Sequence, residues 1–166
     1  VAKKTAAAKP VTKEEKAAFG EPRIDNRRAR FEYEFLEKLE AGVMLTGTEI
    51  KSVRTGEISL NEAYARVRDG ELWLLNLHIP PYKQGSFSNH EPTRPRKLLL
   101  HRRELDRLAG RAAEKGLTIV PVRLYFKAGK AKIEIALARG KKLWDKRREQ
   151  KERDQQRDLR REMGRV

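Results

Sequence analysis

The order of apolar and polar residues divides the chain into a middle that can bury a core and two ends that cannot. Phe31, Tyr33 and Phe35 alternate with Glu32 and Glu34, the period-two pattern of a half-buried strand. Leu36 breaks the phase, which reads as a bulge or as a strand covered on both faces. Glu40-Ala41-Gly42 is expected to bend the chain into a second strand, Val43-Met44-Leu45-Thr46. Thr48 then caps a short helix, with Glu49 in its first turn, Ile50 and Val53 inward, Lys51 and Arg54 outward, and Gly56 closing it.

Asp69-Gly70 separates Tyr64-Ala65-Arg66-Val67-Arg68 from Glu71-Leu72-Trp73-Leu74-Leu75, a strong hairpin signal. The segment from Pro80 to Lys97 shows little sign of regular structure. From Arg103 to Lys115 apolar residues fall on one helical face, Leu105, Leu108, Ala109, Ala112 and Ala113, and Gly116 is the stop. Leu117 to Phe126 reads as a strand whose Pro121 marks an edge or a bulge. A turn at Lys127-Ala128-Gly129-Lys130 leads into the clearest strand, where Ala131, Ile133, Ile135 and Leu137 alternate with Lys132, Glu134, Ala136 and Ala138. The fold class is mainly β with short helices (α+β), and an OB-like barrel of about six strands suits such short strands and an oligonucleotide ligand.

This assigns residues 26–138 to the barrel body. Residues 1–25, rich in Ala and Lys and broken by Pro10 and Pro22, read as a disordered basic arm; the capping box at Thr12-Lys13-Glu14-Glu15 opens a helix too short to persist alone. Residues 139–166 form a basic tail, disordered or conditionally helical.

Charge narrows the partner. The net charge of +15 points first to a polyanion, and nucleic acid is the commonest. A membrane is disfavoured because no apolar run approaches the ~20 residues of a spanning helix, and the opening residues carry no export-signal apolar core. The chain has no cysteine, so disulfide, thiolate and cysteine-zinc chemistry are excluded. His78, His90 and His101 lack metal-ligand spacing, and Gly129-Lys130 lacks the flanking residues of a phosphate-cradling loop. No nucleophile elbow is present. A binding protein rather than an enzyme is expected, with no cofactor, acting in the cytoplasm as a monomer.

Cations mixed with aromatics mark where RNA would bind. In the 80–97 segment Arg94, Arg96 and Lys97 accompany Tyr82 and Phe87, and either ring could equally pin the loop to the core. Arg28 and Arg30 lead into the body. The tail opens on Gly140-Lys141-Lys142-Leu143-Trp144-Asp145-Lys146-Arg147, where cations would neutralise phosphates and Trp144 would offer a stacking face or pack back onto the body.

Several long motifs carry a family resemblance. Asn26-Arg27-Arg28-Ala29-Arg30, Glu40-Ala41-Gly42, the run from Leu45 to Arg54, Arg96-Lys97-Leu98-Leu99-Leu100-His101, Leu124-Tyr125-Phe126-Lys127 and the run from Leu137 to Lys142, closing on Asp145-Lys146-Arg147, together resemble the bacterial SsrA-binding protein family, also called small protein B. The resemblance runs in order from Asn26 to about Glu152. It implies an OB-type barrel that grips the tRNA-like part of transfer-messenger RNA and takes it to stalled ribosomes, with elongation factor Tu joined through the aminoacylated RNA. It implies a tail that becomes helical in the vacant message channel. RNA-gripping positions would be Asn26, Arg28, Glu40, Leu99 and Lys132. Decoding-centre positions would be Tyr33, Gly140, Lys141 and Trp144, with Asp145, Lys146 and Arg147 opening the tail. Three residues depart from the usual pattern: Trp144 replaces His or Tyr, Phe31 replaces His, and Pro95 replaces Thr. The competing reading is a general OB-type RNA chaperone or ribosome-associated factor.

Overall fold

A computed structural model describes residues 22–83 and 89–163. The proposed N-terminal arm up to residue 21, with its capping box, and the loop residue Phe87 lie outside the described residues. In chain order the elements are β1 (Ile24–Asp25), α1 (Arg27–Glu32), β2 (Tyr33–Val43), α2 (Gly47–Thr55), β3 (Tyr64–Arg68), β4 (Glu71–Leu75), β5 (Arg96–Leu99), α3 (Arg102–Ala112), β6 (Leu117–Lys127), β7 (Lys130–Gly140) and α4 (Leu143–Met163). Every pairing is antiparallel. β2 pairs with β5, β5 with β4, β4 with β3, β3 with β6, β6 with β7, and β7 with β2, so six strands close on themselves as expected for an OB-like barrel. The thinnest seam is β3–β6, where Ala65 opposite Ile119 is the one registered pair.

Alternation fills the interior. Leu72, Leu74, Ile119, Leu124, Ile133, Ile135 and Leu137 point inward with almost no exposure, and Val53 of α2 and Leu105 and Leu108 of α3 join the same core. A second, smaller cluster lies under α1, where Ala29 meets Val120, Val122, Ala136 and Ala138. Those small side chains let the helix sit close to the strands.

The structure departs from the sequence reading at four joints. Phe31 ends up in α1, because Asn26 caps a helical turn there: its Oδ1 accepts from Ala29 N at 3.0 Å. β2 does not bend at Glu40-Ala41-Gly42 but runs on to Val43, since β7 pairs with it as far as Gly42 opposite Lys132. The bulge expected at Leu36 is present, as the β2–β7 register shifts between Phe35 and Glu37. Thr46 rather than Thr48 caps α2, and its N–H donates to Glu49 Oε2 at 2.8 Å. Finally, Arg96 and Lys97 belong to strand β5 rather than to an irregular loop. The Asp69-Gly70 turn is as expected, with φ of 52° and 72° suiting the tight hairpin type. Pro121 sits at a register shift of β6, and Asn26 Nδ2 donates to its carbonyl at 2.9 Å.

The segment before β5 is held by one buried carboxylate. Glu49 is fully buried and receives Arg94 Nε and Arg96 Nε, each at 2.8 Å. Arg96 is also fully buried and donates to the carbonyls of Leu77 at 2.5 Å and Pro92 at 3.0 Å. This corrects the reading of Arg96 as an RNA contact, because it has no exposed surface and its donors are occupied. Arg94 keeps 31% of its side chain exposed, but its fork is spent on Glu49. His90 pins the same segment, with Nε2 3.0 Å from Ile79 O and Nδ1 3.2 Å from Thr48 Oγ1.

Burial alone would push the Glu49 carboxyl up, but Arg94, the Thr46 N–H and Arg96 outweigh it and hold the group at about 2. A depressed carboxyl contributes stability above its unfolded value, and that contribution is lost as pH falls through the folded one. Glu49→Gln is expected to cost about 3–5 kcal/mol by leaving two guanidinium groups facing a neutral amide. It should also flatten the loss of stability between about pH 5 and pH 2, which urea denaturation across pH would measure.

Candidate nucleic-acid interface

Gly42 organises the first surface. It faces Leu99 of β5 on one side and Lys132 of β7 on the other, and Lys132 in turn faces Tyr125 of β6. A Cβ at Gly42 would lie 3.4 Å from Leu99 Cβ, so glycine keeps a shallow saddle between the two side chains. Glu40 lies two residues back on the same face of β2. Residues far apart in sequence, Glu40, Leu99 and Lys132, are thereby brought together. Lys97, two positions before Leu99, projects on the same side of β5, and its Nζ donates to Glu71.

Glu40 is the electrostatic centre of this surface. The Tyr125 hydroxyl donates to its Oε2, while Lys127 Nζ and Lys132 Nζ lie 3.6 and 3.9 Å from Oε1. The Tyr125 bond is the main reason the carboxyl lies below its ordinary value, and the two lysines add to it against a desolvation penalty. Burial, then the bond to Glu40, push the Tyr125 hydroxyl up to about 12. A fixed carboxylate of this kind holds cations at defined positions and accepts donors from a base edge or sugar. Leu99, 51% exposed, presents an apolar surface beside it. Tyr125 and Lys127 were missed as contributors, although they stand in a quoted motif and one outward position of β6 is read directly from alternation.

The second surface lies where the barrel meets the tail. Tyr33 faces Gly140 across β2–β7, and Lys141 N donates to Glu32 O at 2.8 Å. Lys141 Nζ donates to Arg30 O at 3.2 Å and to Glu149 Oε2 at 2.6 Å, tying α4 to the body. Lys146 Nζ lies 5.9 Å from the Phe31 ring centroid. A groove of about 790 Å³ runs between β2 and α4, lined by Arg30, Tyr33, Lys38, Lys141, Asp145 and Arg148 among others. Trp144 does not pack back, being 61% exposed, and Lys142 and Arg147 are exposed beside it.

Asn26 and Arg28 join neither surface. Asn26 is 1% exposed, with Nδ2 donating to Leu60 O and Pro121 O at 3.0 and 2.9 Å, so it anchors α1 instead of reaching a ligand. Arg28 is exposed but pairs with Glu32 at 2.9 Å and with Glu62.

The profile of the family described as SmpB protein matches residues 23–165. The chain belongs to that family. It is 56% identical over 135 residues to an SsrA-binding protein of Carboxydothermus hydrogenoformans, covering 81% of this chain and 91% of the relative. It is 57% identical over 140 residues to an SsrA-binding protein of Mycolicibacterium gilvum, covering 84% and 85% respectively. A chain of a solved structure described as "tmRNA-SmpB: a journey to the center of the bacterial ribosome" superposes with a TM-score of 0.64 at 54% identity, over 74% of this chain and 86% of that one. The structural match confirms the mainly β, barrel-like architecture for this SmpB family member.

Tyr125→Phe removes the hydroxyl that holds Glu40 low while leaving the ring. The Glu40 carboxyl is expected to titrate at a higher pH in that variant, read from its side-chain carbon shift by NMR. An unchanged Glu40 titration would mean the lysines alone set it.

Proposed function

We propose that this chain binds transfer-messenger RNA through the Gly42 saddle and brings it to stalled ribosomes for trans-translation, as a binding protein without catalytic chemistry of its own. The observation that carries the reading is the strand register that assembles Glu40, Leu99 and Lys132 around Gly42. An apolar contact between a lysine and a lysine-ordered carboxylate suits a folded RNA, whose sugars and base edges offer both donors and apolar faces. The relatives' name as SsrA-binding proteins and the ribosomal tmRNA–SmpB structure support the same partner. In this reading elongation factor Tu is engaged through the aminoacylated RNA, in the cytoplasm.

The tail carries a different task. From Lys151 to Arg161 every side chain of α4 is exposed, and its ion pairs are spaced three or four residues apart, Arg148–Glu152 at 3.1 Å and Arg157–Asp154 at 3.7 Å. Such pairs contribute about 0.2–0.5 kcal/mol each, too little to hold an unpacked helix alone. Surrounding rRNA phosphates in an empty message channel would supply what the barrel does not. Trp144, Lys142 and Arg147, exposed at the helix start, would meet the decoding centre first.

Three measurements check this division. In mobility-shift assays with excess ordinary tRNA, the full chain and a chain ending at Gly140 should both prefer transfer-messenger RNA. Lys132→Glu should weaken that binding by about tenfold or more, through one lost phosphate contact and one added like charge. Only the full chain should support tagging on stalled ribosomes; equal competition by tRNA would overturn the reading. A peptide of residues 143–163 should show little helicity by circular dichroism in plain buffer and gain it on addition of structured rRNA fragments. Strong helicity in buffer would remove the sensing role.

A further inference from the structure

The outward face of β3 and β4 belongs to neither surface described above, and β5 joins it to the Gly42 saddle. Its inward residues, Ala65, Leu72, Leu74 and Leu98, are buried, so the residues between them point out. The register places Arg66 opposite Trp73 and Trp73 opposite Lys97. Met44 N donates to Lys97 O at 3.0 Å, which continues the row onto the segment just after β2, and Met44 is 52% exposed. Across four neighbouring segments the row therefore reads cation, indole, cation, thioether. With strands about 4.8 Å apart it spans roughly 14 Å.

Trp73 lines an open groove of about 760 Å³ together with Arg66, Arg68, Leu75 and Pro95. Among the described residues no carboxylate pairs with Arg66, and Glu71 fixes Lys97 on the other side of the ring. The nearby Asp69 lies 3.9 Å from Arg68, so both local carboxylates already face a cation. The face also runs without a break into the Gly42 saddle, because Leu99 follows Lys97 on the same side of β5.

We infer that this face is a second RNA subsite, in which Trp73 stacks on an unpaired base while Arg66 and Lys97 take the flanking phosphates. Its occupant is a single-stranded RNA segment contiguous with the RNA held at the saddle. The inference rests on the proposed function. A ring flanked by two cations on a sheet surface binds single strands with little sequence preference, since every base has a stacking face. Double-stranded RNA hides those faces and would not use the ring.

The chain has two tryptophans, so Trp144→Phe leaves Trp73 as the sole indole reporter. Titration of that protein with a 12-nucleotide RNA lacking self-complementarity should quench Trp73 emission by about half or more, and the same sequence as a duplex should not. In the wild-type background Trp73→Tyr should retain oligomer affinity, whereas Trp73→Leu and Arg66→Glu should each lower it by about fivefold or more. Trp73→Tyr and Arg66→Glu guard against a folding defect, checked by unchanged thermal melting. An oligomer that fails to bind, binds without quenching, or binds Arg66→Glu as tightly as wild type overturns the subsite. If instead the oligomer quenches Trp73 while Lys132→Glu leaves transfer-messenger RNA affinity intact, the subsite stands and the saddle reading falls.

Discussion

A single buried carboxylate governs where β5 lies. Glu49 sits in the first turn of α2, yet the groups it holds come from the segment that leads into β5. Through Arg96 it reaches the carbonyls of Leu77 and Pro92, tying together both ends of that long connection. Removing Glu49 would leave the fully buried Arg96 guanidinium without its counter-charge, at a cost of about 3–5 kcal/mol. The strand fixed in this way carries Lys97 and Leu99 outward in alternation with Arg96 and Leu98 inward. One ion-pair network thus holds the strand that presents Lys97 and Leu99 at the Gly42 saddle, although its own members are buried or spent on one another.

The same alternation explains why the sequence reading succeeded for some residues and failed for others. Strands with a clean period of two, β7 above all, were legible, as were the hairpin at Asp69-Gly70 and the disturbance at Pro121. Arg96 was misread because an arginine among prolines and aromatics looks like a ligand-binding cation. The opposing clue was a glutamate three positions after Thr46, a capping-box spacing that fixes which way the side chain turns. Asn26 was misjudged for a related reason. Its amide satisfies the carbonyls of Leu60 and Pro121, partners supplied by the fold and invisible in local pattern. The assembly of Glu40, Leu99 and Lys132 follows from pairing across three strands, and without the family motifs no local signal joins them.

The barrel and the tail solve the problem of a highly basic chain in opposite ways. In the body many cations are held against carboxylates: Arg107 and Arg111 on Glu37, Lys127 and Lys132 near Glu40, Arg123 on Glu134. Such pairing gives a cation a fixed position on the surface, as recognition by shape under the proposed function requires. In α4 the pairs are local along one helix, and beyond Lys151 nothing from the barrel covers them. Local pairs of this kind hold a helix only weakly, about 0.2–0.5 kcal/mol each, as the proposed role of the tail requires.

Lys141 stands at the junction of these two regimes. Its backbone closes onto Glu32 as an extension of the β2–β7 ladder, and its ammonium bridges Arg30 O and Glu149. The first contact belongs to the barrel and is as rigid as the strands on either side. The second is a side-chain ion pair, in which Glu149 is 41% exposed and Lys141 only 15%. A ladder contact of the Lys141 backbone and side-chain contacts of Lys141 and Lys146 fix the origin of the tail on the body. Under the proposed function, side-chain links of this kind would let the tail reorient as it enters a channel after the body has been seated.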